Sequence, residues 1–236
     1  MTIYTFNNYI LAALAVFMIS GAGLLRAEMG PSFEGWPSGQ AHDTGRRIKG
    51  WTVRGADKDA LHSIVGKSNN LFGDYPGSWV YESSKVAENF ISAAEKALQA
   101  NKKTEAMKNY QADSAHFGVA RFHFLHSPAA IEAYAKHNEA YYQFLKLANI
   151  PVEHLRIPFE GKQIIGNLYT PKNSSTAVAL PLLVISGGID TWKNELWSTV
   201  QPMLEQGFAV FAMEQVKVSG SLGPVPIVSI LELLIF

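Results

Sequence analysis

The 236-residue chain contains no cysteine. This absence excludes disulfide bonds, thiolate metal sites and a cysteine nucleophile, although it does not fix the compartment in which the protein works. An excess of charge of one sign is also lacking, because 20 Lys and Arg residues balance 20 Asp and Glu residues. We therefore expect no nucleic-acid partner. The hydrophobic share of 47% is enough to bury a core, and the length allows one or two domains.

Charged side chains are missing from the first 25 residues, and Arg26 is the first of them. An almost wholly apolar run covers residues 10–19, and Leu25-Arg26-Ala27 resembles a small-residue cleavage site. We interpret residues 1–27 as a signal peptide of a secreted or periplasmic protein, although no Lys or Arg precedes the apolar run. The alternatives are an uncleaved anchor that contacts the membrane through residues 9–25, and a buried N-terminal extension.

Residues 28–57 are rich in Gly, Pro, Ser and charge, which is typical of an irregular linker. The pair His42-Asp43 lies inside this segment. These are two members of a catalytic relay in some enzymes, but a polar loop exposed to solvent is the favoured interpretation.

Residues 58–150 have the apolar spacing of amphipathic helices. Ser127 is a natural N-cap, and Pro128 suits the first helical turn. The predicted helices cover residues 59–65, 83–100, 104–125 and 128–149. The residues predicted to face the core include Val86, Phe90, Ala93, Ala97, Ala112, Ala115, Val119, Phe122, Ile131, Tyr134, Asn138, Tyr141, Leu145 and Ala148. Short connections between such helices predict an antiparallel helical layer.

The apolar period changes after Pro151 and indicates strands. Two short runs on either side of a Gly turn predict a β-hairpin over residues 155–169. A continuous apolar run at Leu182–Ser186, a helix over residues 195–206 and a second apolar run at residues 208–213 follow. This strand–helix–strand order predicts a parallel pair joined by a right-handed crossover, and hence an α/β fold.

The first of these apolar strands ends in Gly187-Gly188-Ile189-Asp190. Two glycines allow the backbone to turn tightly and to present free N–H groups. Asp190 is positioned either to cap the following helix, which is the default, or to contact a substrate.

The helical segment, the hairpin and this Gly-Gly-Ile-Asp loop together resemble the α/β-hydrolase superfamily. The branch with the most similar arrangement is that of FrsA-like esterases and dihydropseudooxynicotine hydrolase-like enzymes. The resemblance covers about residues 83–215, and Trp192, Glu195 and Trp197 extend it beyond the loop. It implies a helical cap over residues 58–150, followed by the first strands of an α/β-hydrolase core over residues 151–215, with an incomplete sheet.

The resemblance also implies serine-dependent hydrolysis of an ester or an activated C–C bond in a small ester-like substrate, with neither a cofactor nor a metal ion. In that family the loop after the third strand supplies one N–H of the oxyanion hole, so Gly188 and Ile189 are the candidate donors. A nucleophile, a later acid and a later histidine are required in that order. The chain has no Gly-x-Ser-x-Gly motif and no histidine after His154.

The family pattern stops at Val216, and residues 216–236 form an atypical apolar tail. We therefore expect a truncated or frameshifted gene product that does not catalyse the reaction alone. We also expect the strand over residues 208–213 to lack one neighbour, which favours aggregation.

Other residues have alternative interpretations. Ser186 is a candidate nucleophile, but a small residue at a strand end is favoured because the elbow motif is absent. A metal site is conceivable at His116, His123 and His126, but histidines that line a pocket or pack on a helix surface are favoured. The function alternatives are a helical binding module over residues 59–149 and a membrane-anchored structural protein.

Overall fold

The structure is a computed structural model that describes residues 44–71, 73–122, 125, 127–159, 162–174, 179–188 and 191–214. The predictions for the leader, for His42-Asp43, for Ile189 and Asp190, and for the tail after Val216 fall outside these residues. Within the described segments, no helix combines the length and apolar character needed to cross a membrane.

The amino-terminal half of the described chain is helical. Its helices are α1 (Thr44–Val53), α2 (Lys58–Lys67), α3 (Trp79–Gln99), α4 (Lys103–Ala120) and α5 (Pro128–Leu147). The predicted N-cap of α5 is confirmed, because the Ser127 hydroxyl accepts a hydrogen bond from the Ala130 amide at 3.1 Å. Helix α4 ends at Ala120, earlier than the predicted residue 125.

Helix α1 corrects the interpretation of residues 28–57 as an irregular linker. Residues 44–53 of that segment form a helix, and its Ile48 and Trp51 side chains are buried against Leu61, Ile64 and Trp79. Because Ile48 and Trp51 lie three positions apart, they share one helix face even though charged and polar residues surround them.

The buried faces of α3 and α5 match the predicted ones near their carboxyl ends, where Ala97 and Leu145 are buried, and differ by about one position nearer their amino ends. In α3 the buried residues include Ser83, Ala87 and Ala94, whereas Ile131 of α5 is 54% exposed. Small residues occupy the contact faces because α4 packs against both α3 and α5, and close packing of helices favours short side chains. A pattern of bulky apolar residues does not reveal such a face.

The carboxyl-terminal half forms a four-stranded mixed sheet in the order β1-β2-β4-β3. The strands are β1 (Val152–Phe159), β2 (Lys162–Tyr169), β3 (Leu182–Ser186) and β4 (Ala209–Met213). The predicted hairpin is confirmed by the antiparallel β1–β2 pair, and β2 is antiparallel to β4. The predicted parallel pair is also confirmed, since Leu182 lies opposite Ala209 and Ser186 lies opposite Met213. The architecture is therefore mixed α/β.

The position of β4 contradicts the prediction that it lacks a neighbour. It lies between β2 and β3, and its residues from Ala209 to Ala212 are buried. The edge strand on this side of the described sheet is β3, where Leu182 is 46% exposed. The two strands are similarly apolar in sequence, so only the return of the chain after residue 206 into the gap beside β2 distinguishes them.

The predicted helix over residues 195–206 is divided in two. A 3-10 helix covers Lys193–Leu196, and α6 covers Trp197–Glu205. The main core lies between α6, the helical layer and one face of the sheet, and its buried members include Tyr141, Phe144, Leu145, Tyr169, Trp197, Val200 and Val210. Each large apolar side chain buried there stabilises the fold by about 1.5–3 kcal/mol.

One carboxyl group is buried inside the helical layer. Asp113 of α4 is fully buried, and neither of its carboxyl oxygens has a hydrogen-bond partner. Burial raises the pKa of Asp113 to about 8, against the opposing attraction of Lys136. Asp113 is therefore largely protonated at neutral pH in the folded state and ionised in the unfolded state, a difference that destabilises the protein.

We expect Asp113→Asn to stabilise the protein by about 1–3 kcal/mol at neutral pH, because the amide needs no proton to remain neutral. The raised pKa makes the wild-type protein lose stability as pH rises from about 4 to about 8, so the advantage of the variant grows over that interval and then levels off. Urea unfolding at several pH values measures the difference. Glu105→Gln, at an exposed carboxylate of the same helix, is the control. A constant difference between Asp113→Asn and wild type at all pH values would contradict this assignment.

Candidate functional site

The carboxyl ends of β3 and β4 meet at one edge of the sheet. Gly187 and Gly188 follow β3, and Glu214 follows β4 directly beside them because Ser186 and Met213 are register partners. In open α/β sheets, ligands bind outside the carboxyl ends of the parallel strands. This edge is therefore the candidate functional site.

The two glycines after β3 have different surroundings. A Cβ atom on Gly187 would lie 2.7 Å from the Thr191 Cβ atom, so only glycine fits there. The Thr191 amide closes the turn by donating to the Gly188 carbonyl at 3.0 Å. Gly188 itself is exposed, and a Cβ atom on it would meet no heavy atom within 4 Å. The loop is thus packed on one side and accessible at Gly188, while Ile189 lies outside the described residues.

A polar group lines the site where α5 faces the 3-10 helix. The Lys193 ammonium donates to the Glu214 carboxylate at 2.7 Å and to the Tyr134 hydroxyl at 3.4 Å. The Tyr134 hydroxyl donates to the same carboxylate at 3.1 Å. Burial and the nearby Glu214 raise the pKa of Tyr134, so the phenol keeps its proton. The group has no net charge and presents donors and acceptors next to the glycine loop.

A second polar group is centred on Glu195, which is buried together with Arg121, whereas Arg54 is partly exposed. The carboxylate of Glu195 forms an ion pair with Arg121 at the end of α4 and lies 3.5 Å from the Arg54 guanidinium, which follows α1. It also accepts the Trp192 amide at 3.1 Å. Burial alone raises the pKa of Glu195, but Arg121 and Arg54 outweigh it and hold that pKa below its usual value. Glu195 is therefore a buried anion.

His137 of α5 packs beside this anion. Its Nδ1 atom lies 2.7 Å from the Ser114 carbonyl, so Nδ1 carries the proton and donates it. Burial lowers the pKa of His137, which keeps the ring neutral. Gly118 provides the space, because a Cβ atom there would lie 3.2 Å from the Glu195 carboxylate and 3.4 Å from the His137 ring.

A chain of amides joins the helical layer to the sheet. Asn194 donates to the Asn138 side chain at 2.5 Å and accepts from Asn167 at 2.7 Å. Asn167 of β2 also donates to the Tyr169 hydroxyl at 2.9 Å, and its carbonyl oxygen lies 2.8 Å from the His154 ring. These bonds satisfy the polar side chains and fix the 3-10 helix against both layers.

The histidines of the helical segment do not form a metal site among the described residues. His116 is buried, stacks on Phe90 at 5.0 Å and accepts the Asp57 amide at 3.0 Å through Nε2. Burial lowers the pKa of His116 to about 4, so the ring is neutral and packs between helices. His123 and His126 lie outside the described residues.

Ser186 has the surroundings of a residue at a strand end rather than those of a nucleophile in a relay. It is half-buried, and its hydroxyl donates to the neighbouring Gly187 carbonyl at 3.4 Å.

The predictions from sequence missed the partners of the loop. Arg54 and Arg121 contact the residues directly after the loop, Lys193 and Glu214 form an ion pair beside it, and none of these four is marked by spacing or motif. Polar residues such as Ser114 and His137 lie on helix faces that are otherwise closely packed. Because buried polar groups need specific partners, such residues are a signal for a polar cluster between the helices.

Comparison with known proteins identifies the family. The family model described as "Esterase FrsA-like" matches residues 46–222. The chain belongs to the FrsA-like esterase family. Among curated FrsA-like relatives, Esterase FrsA of Photobacterium profundum is 24% identical over 72% of this chain and 44% of its own length. Esterase FrsA of Vibrio cholerae is 22% identical over 79% of this chain and 45% of its own length. The chain therefore spans less than half the length of these FrsA-like relatives.

Solved structures share the fold. A 2,6-dihydroxy-pseudo-oxynicotine hydrolase superposes with a TM-score of 0.55 at 16% identity, over 71% of this chain and 45% of the other. A protein named AbyA5 superposes with a TM-score of 0.51 at 21% identity, over 75% of this chain and 45% of the other. These likenesses confirm the predicted α/β-hydrolase type of fold, with helices ahead of the sheet.

We expect the two loop glycines to respond differently to replacement by alanine. Neither has a left-handed backbone, so the added methyl group alone decides the outcome. Gly187→Ala forces the loop away from Thr191 and lowers the free energy of unfolding by about 1–3 kcal/mol, whereas Gly188→Ala changes it by less than about 0.5 kcal/mol. Urea unfolding measures both values. Equal losses in the two variants would show that the loop is not packed on one side as described.

Proposed function

We propose that this chain forms the oxyanion side and the helical wall of a serine-hydrolase active site that acts on a small ester-like substrate. The observation that carries the proposal is the glycine loop at the carboxyl end of β3, packed on Thr191 and accessible at Gly188. The membership of the FrsA-like esterase family supports the reaction class.

The chemistry follows from the place of this loop. Ester hydrolysis by a serine passes through a tetrahedral oxyanion, which preorganised N–H groups stabilise. In the α/β-hydrolase arrangement one N–H follows the nucleophile and the other belongs to the loop after the third strand. An oxyanion needs room beside its donor, and the open space at Gly188 supplies it. The Gly188 and Ile189 backbones are the donors that we propose.

The helical layer supplies the opposite wall. Tyr134 and Lys193 lie at the same edge of the sheet and are held by Glu214, so they present polar hydrogens close to the loop. We propose that this group contacts polar atoms of the substrate, while the reaction itself needs no cofactor.

The nucleophile, the acid and the catalytic histidine have no counterparts in these 236 residues in the order that the family uses. We therefore propose that the chain alone does not hydrolyse esters.

The purified chain should neither hydrolyse p-nitrophenyl acetate or butyrate above the buffer rate nor become labelled by a fluorophosphonate, because the sequence has no Gly-x-Ser-x-Gly motif and no histidine after His154. A serine esterase of known activity in the same assay is the positive control. Stoichiometric labelling of the chain, abolished by Ser186→Ala, would overturn the proposal and make Ser186 a nucleophile.

A further inference from the structure

The helical layer reaches the glycine loop through a short series of contacts. Arg54 donates to the Thr191 hydroxyl at 3.0 Å, and Thr191 is the residue against which Gly187 packs. The Arg121 guanidinium lies 4.8 Å from the Trp192 ring centroid, and the Tyr134 ring lies 4.0 Å away on α5. Residues that follow α1, end α4 and belong to α5 therefore contact the two residues directly after the loop.

Glu195 joins these contacts. One carboxylate oxygen pairs with Arg121, and the other accepts the Trp192 amide and lies near Arg54. Since Glu195 is buried, its two arginine partners are needed to keep the charge inside the protein. The bond to the Trp192 amide then fixes the backbone at the end of the loop.

We propose that Glu195, together with Arg121 and Arg54, is a positioning device that sets the backbone of Gly187-Gly188 relative to the helical layer. The catalytic role of this positioning rests on the proposed function, in which the loop backbone donates a hydrogen bond to the oxyanion. The mechanical coupling does not depend on that function. A shift of α1 or α4 would move the loop through this buried anion.

Amide hydrogen exchange in the complete chain tests the coupling. Glu195→Ala removes the acceptor and the charge, and we expect the segment 187–192 to exchange at least about tenfold faster relative to α3 than in wild type. Glu195→Gln keeps an acceptor for the Trp192 amide but loses both ion pairs, so an intermediate increase is expected. Glu132→Gln, at an exposed carboxylate paired with Lys136, is the matched control and should leave the segment unchanged.

A double variant separates positioning from stability. Arg121→Met combined with Glu195→Met replaces the buried ion pair by apolar contacts, which can restore the free energy of unfolding. Positioning by Glu195 predicts restored stability but continued fast exchange at 187–192. Slow exchange in this variant would overturn the proposal. If the double variant does not fold, the exchange rates of Glu195→Gln decide. An equal increase of the exchange rate in the loop and in α3 would overturn the proposal. Because no reaction is measured, inactivity of the chain and failure of this proposal are distinguishable.

Discussion

The buried ion pair between Arg121 and Glu195 is the interaction on which the arrangement of this protein depends. Both side chains are almost fully buried; Arg121 follows the last residue of α4, and Glu195 belongs to the 3-10 helix after β3. Removing one partner of such a pair typically costs about 3–5 kcal/mol, because the other charge remains in the interior without compensation. The helical layer and the sheet can therefore separate only with a large loss of free energy.

Other contacts depend on this pair. The space beside Gly118 brings Glu195 and His137 together, and the amide chain through Asn194 extends the same junction to β2. The apolar core around Trp197 and Phe144 then closes the interface on the neighbouring side. The glycine loop lies where the polar junction meets the edge of the sheet, so its geometry follows from the docking of the helices.

The local elements could be predicted from the sequence because their signals are local. Alternating apolar residues indicated the hairpin, continuous apolar runs indicated β3 and β4, and Ser127-Pro128 marked the start of α5. The Gly-Gly loop was assigned correctly to the end of β3. In each case the residues that determine the structure are neighbours in the chain.

The remaining features arise from contacts between distant segments. Arg54 and Glu195 are separated by 141 positions, and no periodicity relates them. The order β1-β2-β4-β3 depends on where the chain returns after α6, although β3 and β4 are alike in composition. Trp51 lies in a segment whose composition predicts a linker, and its partners Leu61 and Trp79 belong to other helices. The side chains that hold the glycine loop also come from distant segments. The loop itself can therefore be predicted from the sequence, whereas its partners cannot.

A double-mutant cycle on Arg121 and Glu195 tests this dependence most directly. The cycle compares the free energies of urea unfolding of wild type, Arg121→Met, Glu195→Gln and the double variant. A parallel cycle on the exposed pair Lys136 and Glu132 provides the reference. We predict a coupling energy of at least about 2 kcal/mol for the buried pair. A value below about 0.5 kcal/mol, as for exposed ion pairs, would contradict the central role of this interaction.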